Sequence, residues 1–88
     1  MDNTTGATYH DIDLKEVLAG MARAIVDEPD KVLVTEEENE SGIVLTLNVA
    51  ENDMGMIIGK RGKIARAIRS VVKAAAKMAD KKVTVEIK

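Results

Sequence analysis

Apolar residues recur along the chain with a spacing that changes from one segment to the next. From Leu14 to Ile25 they fall at helical spacing and predict an amphipathic helix of about four turns. Asp13, followed three residues later by Glu16, has the form of a capping box, and Pro29 marks the exit of the helix. Residues 1–10 have no hydrophobic period and are expected to form a flexible tail, with partner contacts through Tyr9 and His10 as the alternative.

Two short apolar runs follow and predict an antiparallel hairpin. Val32–Thr35 is the first strand, and Ile43–Val49 is the second, in which apolar residues alternate with outward-facing ones. The acidic stretch Glu36–Gly42 between them is interpreted as a solvated turn. A calcium site is the alternative for this stretch, but the DxDxDG ligand spacing is missing.

The second half of the chain predicts two helices and a last strand. Asp53 is the expected N-cap of a short helix that stops at Gly59, and a long helix runs from Lys63 to about Ala79. Val83–Ile87 alternates as a strand should. We therefore predict an α+β domain in the order α-β-β-α-α-β, with a three-stranded mixed sheet and three helices on one face. The inner face of the long helix is predicted to hold Ile64, Ile68, Val71, Val72, Ala75 and Met78.

Charge is divided unevenly along the chain. Residues 1–53 hold 3 Lys/Arg against 13 Asp/Glu, a net charge of −10, whereas residues 54–88 hold 10 Lys/Arg against 2 Asp/Glu, a net charge of +8. The overall charge of −2 argues against nucleic acid, but the segment from Met54 to Ala79 contains no acid at all. Such an asymmetry between halves favours an anionic partner for the second half.

Composition excludes several classes of protein. With no Cys there is no disulfide framework, thiolate zinc site or cysteine nucleophile, and His10 alone cannot form a histidine metal cluster. No acid/base pair can be placed near the glycine-containing turn described next, so we expect no enzyme, no cofactor and no small-molecule substrate. No stretch approaches about 18 apolar residues, and the N-terminus does not resemble a signal peptide, so we expect a cytoplasmic protein without a membrane partner.

The most unusual local feature is the turn Gly59-Lys60-Arg61-Gly62 between the two predicted helices. Its two glycines permit positive φ and close approach of another backbone. The helix that starts after it contributes unpaired N–H groups, and Lys60, Arg61 and Lys63 add three cations. This combination is typical of a phosphate site, with a plain helix connection as the alternative. The Walker A pattern GxxxxGK(S/T) and the dinucleotide pattern GxGxxG are both absent.

The sequence Ile57-Ile58-Gly-x-x-Gly between two helices, after a strand pair and before a strand, resembles the KH domain. The GxxG loop of that domain clamps about four single-stranded nucleotides. The element order is similar to the type II arrangement, and segments 24–32, 53–65, 67–69 and 72–76 resemble the small bacterial stand-alone KH proteins of the KhpA family. The resemblance covers residues 12–88, and the KH domain is placed at 11–88. Met56 departs from the family, which often has a basic residue there.

The resemblance implies a single-stranded RNA-binding protein, an RNA chaperone that acts as a homodimer or with KhpB (Jag/EloR). It further implies post-transcriptional control linked to cell-wall homeostasis, cell division and cell length. In this reading the glycine turn holds the RNA backbone, and Ile57, Ile58 and Ile64 line the floor of a base groove or belong to the core. The expected RNA-binding residues are Ile58, Gly59, Lys60, Arg61, Gly62, Lys63, Ile64, Arg66 and Arg69.

Several alternatives stay open. Arg66, Arg69, Lys73 and Lys77 form a helical stripe that contacts phosphates near the turn or is only a solvated face. Because Tyr9 is the only aromatic residue, base stacking by aromatic side chains contributes little, which favours weak binding by one copy and action as a dimer. A dimerisation or protein-interaction module with secondary RNA binding is the second function considered. Its candidate surface is Met54, Met56 and Ile57, for which a core position is the equal alternative.

Overall fold

The computed structural model describes residues 12–88, so the expected tail, with Tyr9 and His10, lies outside the described residues. The described part forms a three-stranded sheet packed against helices, the α+β arrangement that the sequence predicts. Its elements are helix α1 (Leu14–Ile25), a 3-10 turn (Pro29–Lys31), strands β1 (Leu33–Asn39) and β2 (Gly42–Asn48), helix α2 (Glu51–Met78) and strand β3 (Val83–Ile87).

Helix α1 begins where the capping pattern predicts. The Asp13 carboxylate accepts hydrogen bonds from the backbone N–H groups of Lys15 at 3.1 Å and Glu16 at 3.4 Å. The helix has 12 residues, and is therefore shorter than the predicted four turns, because Val26 already has extended backbone. Its buried side chains, which face the sheet, are Leu14, Leu18, Ala19 and Ala22.

The sheet is mixed and has the order β1-β2-β3. Strands β1 and β2 are antiparallel, and β2 and β3 are parallel. One face carries the core, because the buried positions of β2 and β3 alternate with exposed or half-buried ones. The buried sheet residues on this face are Val34, Ile43, Leu45, Leu47, Val83 and Val85.

Strand β1 is longer than predicted, and the acidic stretch is mostly strand rather than turn. Glu36, Glu37 and Glu38 all lie in β1, and only Glu40 and Ser41 separate the two strands. The reason is that β1 is an edge strand, so its glutamate side chains stay exposed while its backbone pairs with β2. An acidic edge also protects the sheet against pairing with another chain.

Gly42, the first residue of β2, packs closely against Lys82 in the turn before β3. Its φ of +131° lies in a region that other residues rarely adopt, and a Cβ atom there would lie 2.7 Å from the carbonyl oxygen of Lys82. The same carbonyl accepts a hydrogen bond from the backbone N–H of Ile43 at 2.9 Å. The hairpin tip therefore lies directly beside the turn that leads into β3.

The predicted count of three helices is wrong: the described residues form two. Helix α2 has 28 residues and includes both the short and the long predicted helix. Gly59–Gly62 has non-helical backbone and forms a kink at the predicted turn, across which the two predicted helices are joined into one span. We refer to residues 51–58 as the first arm of α2 and to residues 63–78 as its second arm.

The second arm turns a slightly different face to the core than the sequence predicts. Ile68 and Val72 are buried as predicted, but Val71 is 49% exposed and Met78 is 52% exposed. Alanines take the remaining inner positions, since small side chains let the arm lie close to the sheet. The buried residues of this arm and its C-cap are Ala65, Ile68, Val72, Ala76 and Ala79.

The second arm separates two ends of the domain. It starts after the glycine turn and ends just before β3, whose first residue Val83 pairs with Ile43 at the hairpin tip. At 1.5 Å per residue, the roughly sixteen residues of this arm span about 24 Å. The acidic hairpin tip and the cationic glycine turn therefore lie at opposite ends of the arm.

Candidate nucleic-acid interface

The glycine turn is a short left-handed segment inside a right-handed helix. Gly59 has extended backbone, with φ −71° and ψ 178°, and Lys60, Arg61 and Gly62 have φ of 52°, 64° and 71°. Left-handed backbone costs about 1–2 kcal/mol for each residue other than glycine, so Gly62 adopts it freely and the two cationic residues do not. The surrounding structure must hold Lys60 and Arg61 in place.

A small apolar cluster provides that support. Val26, Ile57 and Ala65 are all buried and pack together, with Ile64 partly buried against them. Ile57 precedes the turn in the first arm, and Ala65 follows it in the second arm. Because one cluster holds both arms, the backbone between them must change direction within the four residues of the turn.

Asp53 fixes the first arm from the other side. It is only 2% exposed, and its two carboxylate oxygens accept hydrogen bonds from the backbone N–H groups of Asp27 at 3.0 Å and Glu28 at 3.1 Å. The expected N-cap role is wrong, since Ala50 occupies the N-cap of α2. The same bonds divert the amides of residues 27 and 28, which explains why α1 ends early. No local pattern shows this pairing, because its partners are 25 and 26 residues away.

Cationic side chains surround the turn, and none of them has an acidic partner among residues 12–88. Lys60, Arg61, Lys63 and Arg66 are all exposed. The ion pairs among residues 12–88 join Arg23 to Glu16, Lys31 to Glu28 and Lys88 to Glu86, so none includes a residue of the acid-free segment 54–79. The right-handed helix also restarts at Lys63, which adds the positive end of a helix dipole. Together these groups make this end of the domain attractive to phosphate.

The apolar residues beside the turn divide into exposed and buried positions. Ile58 is 53% exposed and Ile64 is half-buried, so both are accessible to a ligand. Ile57 is fully buried, so of the alternatives that the sequence left open for it, the structure supports the core position. Of the other two residues of that proposed interface, Met56 is 38% exposed and Met54 is half-buried.

The cationic stripe of the second arm is not uniform. Arg66, Lys73 and Lys77 are exposed, but Arg69 is half-buried. The Nε–H group of Arg69 donates a hydrogen bond to the carbonyl oxygen of Val85 at 3.2 Å. Arg69 therefore holds the second arm against β3, in addition to any contact with phosphate.

An apolar groove, which the sequence does not predict, lies between α1 and the second arm. Its volume is about 410 Å³. The sequence pattern assigned Val71 to the core, whereas the structure places it at the edge of this groove. The groove is lined by Met21, Ala24, Ile25, Ile64, Ala67 and Val71, together with the buried Ile68.

Within residues 12–88, no helix combines the length and apolar character needed to cross a membrane.

Comparisons with known proteins agree on one family. The family model described as the KhpA/KhpB KH domain matches residues 15–87. The chain is 51% identical over 74 residues to the RNA-binding protein KhpA of Clostridium acetobutylicum, a match that covers 84% of this chain and 99% of the relative. It is 39% identical over 74 residues to the RNA-binding protein KhpA of Listeria monocytogenes, covering 84% of this chain and 97% of the relative.

The fold is also similar to part of a larger solved protein. A crystal structure of Aquifex aeolicus Era bound to GDP and aluminium fluoride superposes with a TM-score of 0.63 at 20% identity. The match covers 99% of this chain and 32% of Era, so the chain corresponds to about a third of that protein. At this identity the likeness shows a shared fold alone.

Proposed function

Because the chain belongs to the KhpA/KhpB family of KH domains, we propose that it binds single-stranded RNA through the turn Gly59–Gly62. In this proposal the backbone of the turn and the first amides of the second arm hold the phosphates of about four nucleotides. Lys60, Arg61 and Lys63 neutralise those phosphates, and Arg66 and Arg69 add contacts one to two turns further along. Ile58 and Ile64 contact the bases.

One observation carries this proposal: a left-handed turn with exposed cations sits at the start of a helix in a segment without acids. Left-handed Lys60 and Arg61 cost free energy that a simple helix connection would not require. The relatives' printed name, RNA-binding protein KhpA, points to RNA as the anion. The exposed glutamates of strand β1 are proposed to stay clear of the bound strand, since their charge repels phosphate.

Charge reversal at the turn tests the proposal. The double variant Lys60→Asp/Arg61→Asp should lose detectable binding to single-stranded RNA, because two positive charges become negative where the phosphates lie, a net change of four units. Fluorescence anisotropy with a labelled RNA measures the loss, and circular dichroism checks the fold. The matched control is Lys15→Asp/Lys31→Asp, which changes the net charge equally in the acidic half and should retain binding.

The salt dependence of the unmodified chain gives an independent measure of the same contacts. With about three or four phosphates neutralised at roughly 0.7 per phosphate, log K should fall with log salt at a slope of about −2 to −3. Unchanged affinity in a folded Lys60→Asp/Arg61→Asp variant, or a slope near zero, would contradict binding at the turn.

A substitution at Gly59 should change RNA affinity while leaving the stability of the fold nearly unchanged. Its φ of −71° suits any residue, and a Cβ atom there has no neighbour within 4 Å. Gly59→Ala should therefore change the free energy of unfolding by less than about 0.5 kcal/mol. It should nevertheless weaken RNA binding about tenfold, because the methyl group blocks close approach of the RNA backbone. Urea unfolding and anisotropy measure the two effects.

The control for Gly59→Ala is Gly20→Ala in α1, which also has open space around it and should leave RNA affinity unchanged. Equal affinities for Gly59→Ala and the unmodified chain would show that RNA does not approach the backbone at this position.

We further propose that the chain is a cytoplasmic RNA chaperone that acts with KhpB (Jag/EloR) in post-transcriptional control linked to cell-wall homeostasis and cell division. Family membership supports this wider role. The physical support is the lack of aromatic residues among 12–88, since stacking worth about 1–3 kcal/mol per base is then missing. One copy should bind weakly and with little base preference, and a second RNA-binding chain would raise the avidity.

The second candidate function is a dimerising or protein-interaction module in which RNA binding is secondary. The observation that favours it is the apolar groove between α1 and the second arm, where Val71 stays 49% exposed. If the chain pairs through such a surface, sedimentation equilibrium should give a mass near twice 9.5 kDa that persists in the Lys60→Asp/Arg61→Asp variant. A monomer at all accessible concentrations would contradict the homodimer.

A further inference from the structure

A groove lined by lysines lies at the end of α2 that is farthest from the glycine turn. Its volume is about 450 Å³, and it opens between the end of the second arm, the start of β3 and the hairpin tip. Three lysines, Lys73, Lys81 and Lys82, line it together with the hydroxyl-bearing residues Ser41 and Thr84. All five residues are exposed.

The backbone that carries these lysines is fixed by hydrogen bonds. The N–H of Lys81 donates to the carbonyl of Ala76 at 2.8 Å, and the N–H of Asp80 donates to that of Lys77 at 3.0 Å, with Asp80 in left-handed backbone at φ 59°. This is the Schellman arrangement, which satisfies the last carbonyls of the helix through backbone groups. Lys81 and Lys82 are therefore not needed as caps, and the bond from Ile43 to the Lys82 carbonyl holds the turn from the other side.

The lysines that line the groove have no close acidic partner among residues 12–88. Among residues 12–88, no carboxylate lies within 4.0 Å of the ammonium groups of Lys73, Lys81 or Lys82. The acids adjacent in the chain are Glu40, beside Ser41, and Asp80, beside Lys81. The three ammonium groups that line the groove outnumber these two carboxylates.

The groove is connected to the glycine turn by the exposed face of the second arm. Arg66 and Lys73 are seven residues apart, which places them on the same line of the helix two turns from each other. Lys73 belongs both to this line and to the wall of the groove. No acid interrupts the helix between the turn and the groove, a distance of about 24 Å.

We propose that this distal groove, formed by Lys73, Lys81 and Lys82 with Ser41 and Thr84, is a second site for the phosphodiester backbone of RNA. A single strand held at the glycine turn follows the second arm and places up to three later phosphate groups at the lysines of the groove. The inference rests on the proposed function, because the turn provides the first contact. Its consequence is that strands longer than the roughly four nucleotides of the turn bind more tightly than short ones.

The test compares single-stranded RNAs of about four and about sixteen nucleotides on the full chain. The variant Lys73→Gln/Lys81→Gln/Lys82→Gln should weaken binding of the long RNA about tenfold and leave that of the short RNA within about twofold. The salt slope for the long RNA should become shallower by about 2, at roughly 0.7 for each of three phosphates. Replacing the same lysines by arginine should restore the affinity for the long RNA, which separates charge from an effect on folding.

The charge-matched control is Lys15→Gln/Arg23→Gln/Lys31→Gln, which removes three positive charges from the acidic half and should change neither affinity by more than about twofold. The groove proposal is overturned if the groove variant leaves the long RNA unaffected, or if it weakens both RNAs equally. Either result leaves the glycine turn standing as long as Lys60→Asp/Arg61→Asp still abolishes binding of the short RNA. If that loop variant retains short-RNA binding, the proposed function itself fails.

Discussion

The packing of Val26, Ile57 and Ala65 into one small cluster is the constraint on which the candidate site depends. Ile57 and Ala65 belong to the two arms of α2, and burying both beside Val26 holds the arms together across the glycine turn. Asp53 reinforces this arrangement by fastening the first arm to the backbone after α1. Lys60 and Arg61 adopt left-handed backbone because the chain between two fixed arms has no easier path. The free energy of apolar burial thus maintains local strain at the place where a ligand is proposed to bind.

The acidic and basic halves of the sequence also lie apart in the folded chain. The acid-free segment forms the turn and the second arm, whereas the glutamates of β1 extend along the far edge of the sheet. The acidic strand protects an exposed sheet edge and keeps anions away from it. A protein with a net charge of −2 can therefore present a locally basic surface. Of the residues proposed to bind RNA, only Ile64 also lines the apolar groove beside α1.

Features set by local pattern were predictable from the sequence. The start of α1 at Asp13, the alternation of β2 and β3, and the mixed α+β class follow from capping and periodicity, and the family resemblance followed from the residues around the glycine turn. The true length of β1 was not predictable by pattern, since glutamates are poor strand formers and are tolerated only at an edge. The glycines predicted the position of the turn, but not that the two helices beside it are joined across it into one span.

Contacts between distant residues could not be predicted from the sequence, for a different reason. Asp is a residue type that often caps helices, so the sequence suggested an N-cap at Asp53. Only the folded chain brings Asp53 to the amides of residues 27 and 28. Val71 and Met78 fit the apolar period of the second arm, but alanines let that arm rotate and approach the sheet, which leaves the two larger residues exposed. The distal groove combines the end of α2 with the hairpin tip, elements about forty residues apart in the chain, so periodicity could not reveal it.

We propose above that RNA phosphates contact the backbone at the glycine turn. A two-dimensional ¹H–¹⁵N NMR titration with a single-stranded RNA of about four nucleotides tests it most directly, because each amide reports its own surroundings. We expect the largest chemical-shift changes at the amides of residues 59–66 and little change in β1. The largest changes at the hairpin or along the Met21, Ile25 and Val71 groove, with the amides of the turn unmoved, would contradict it.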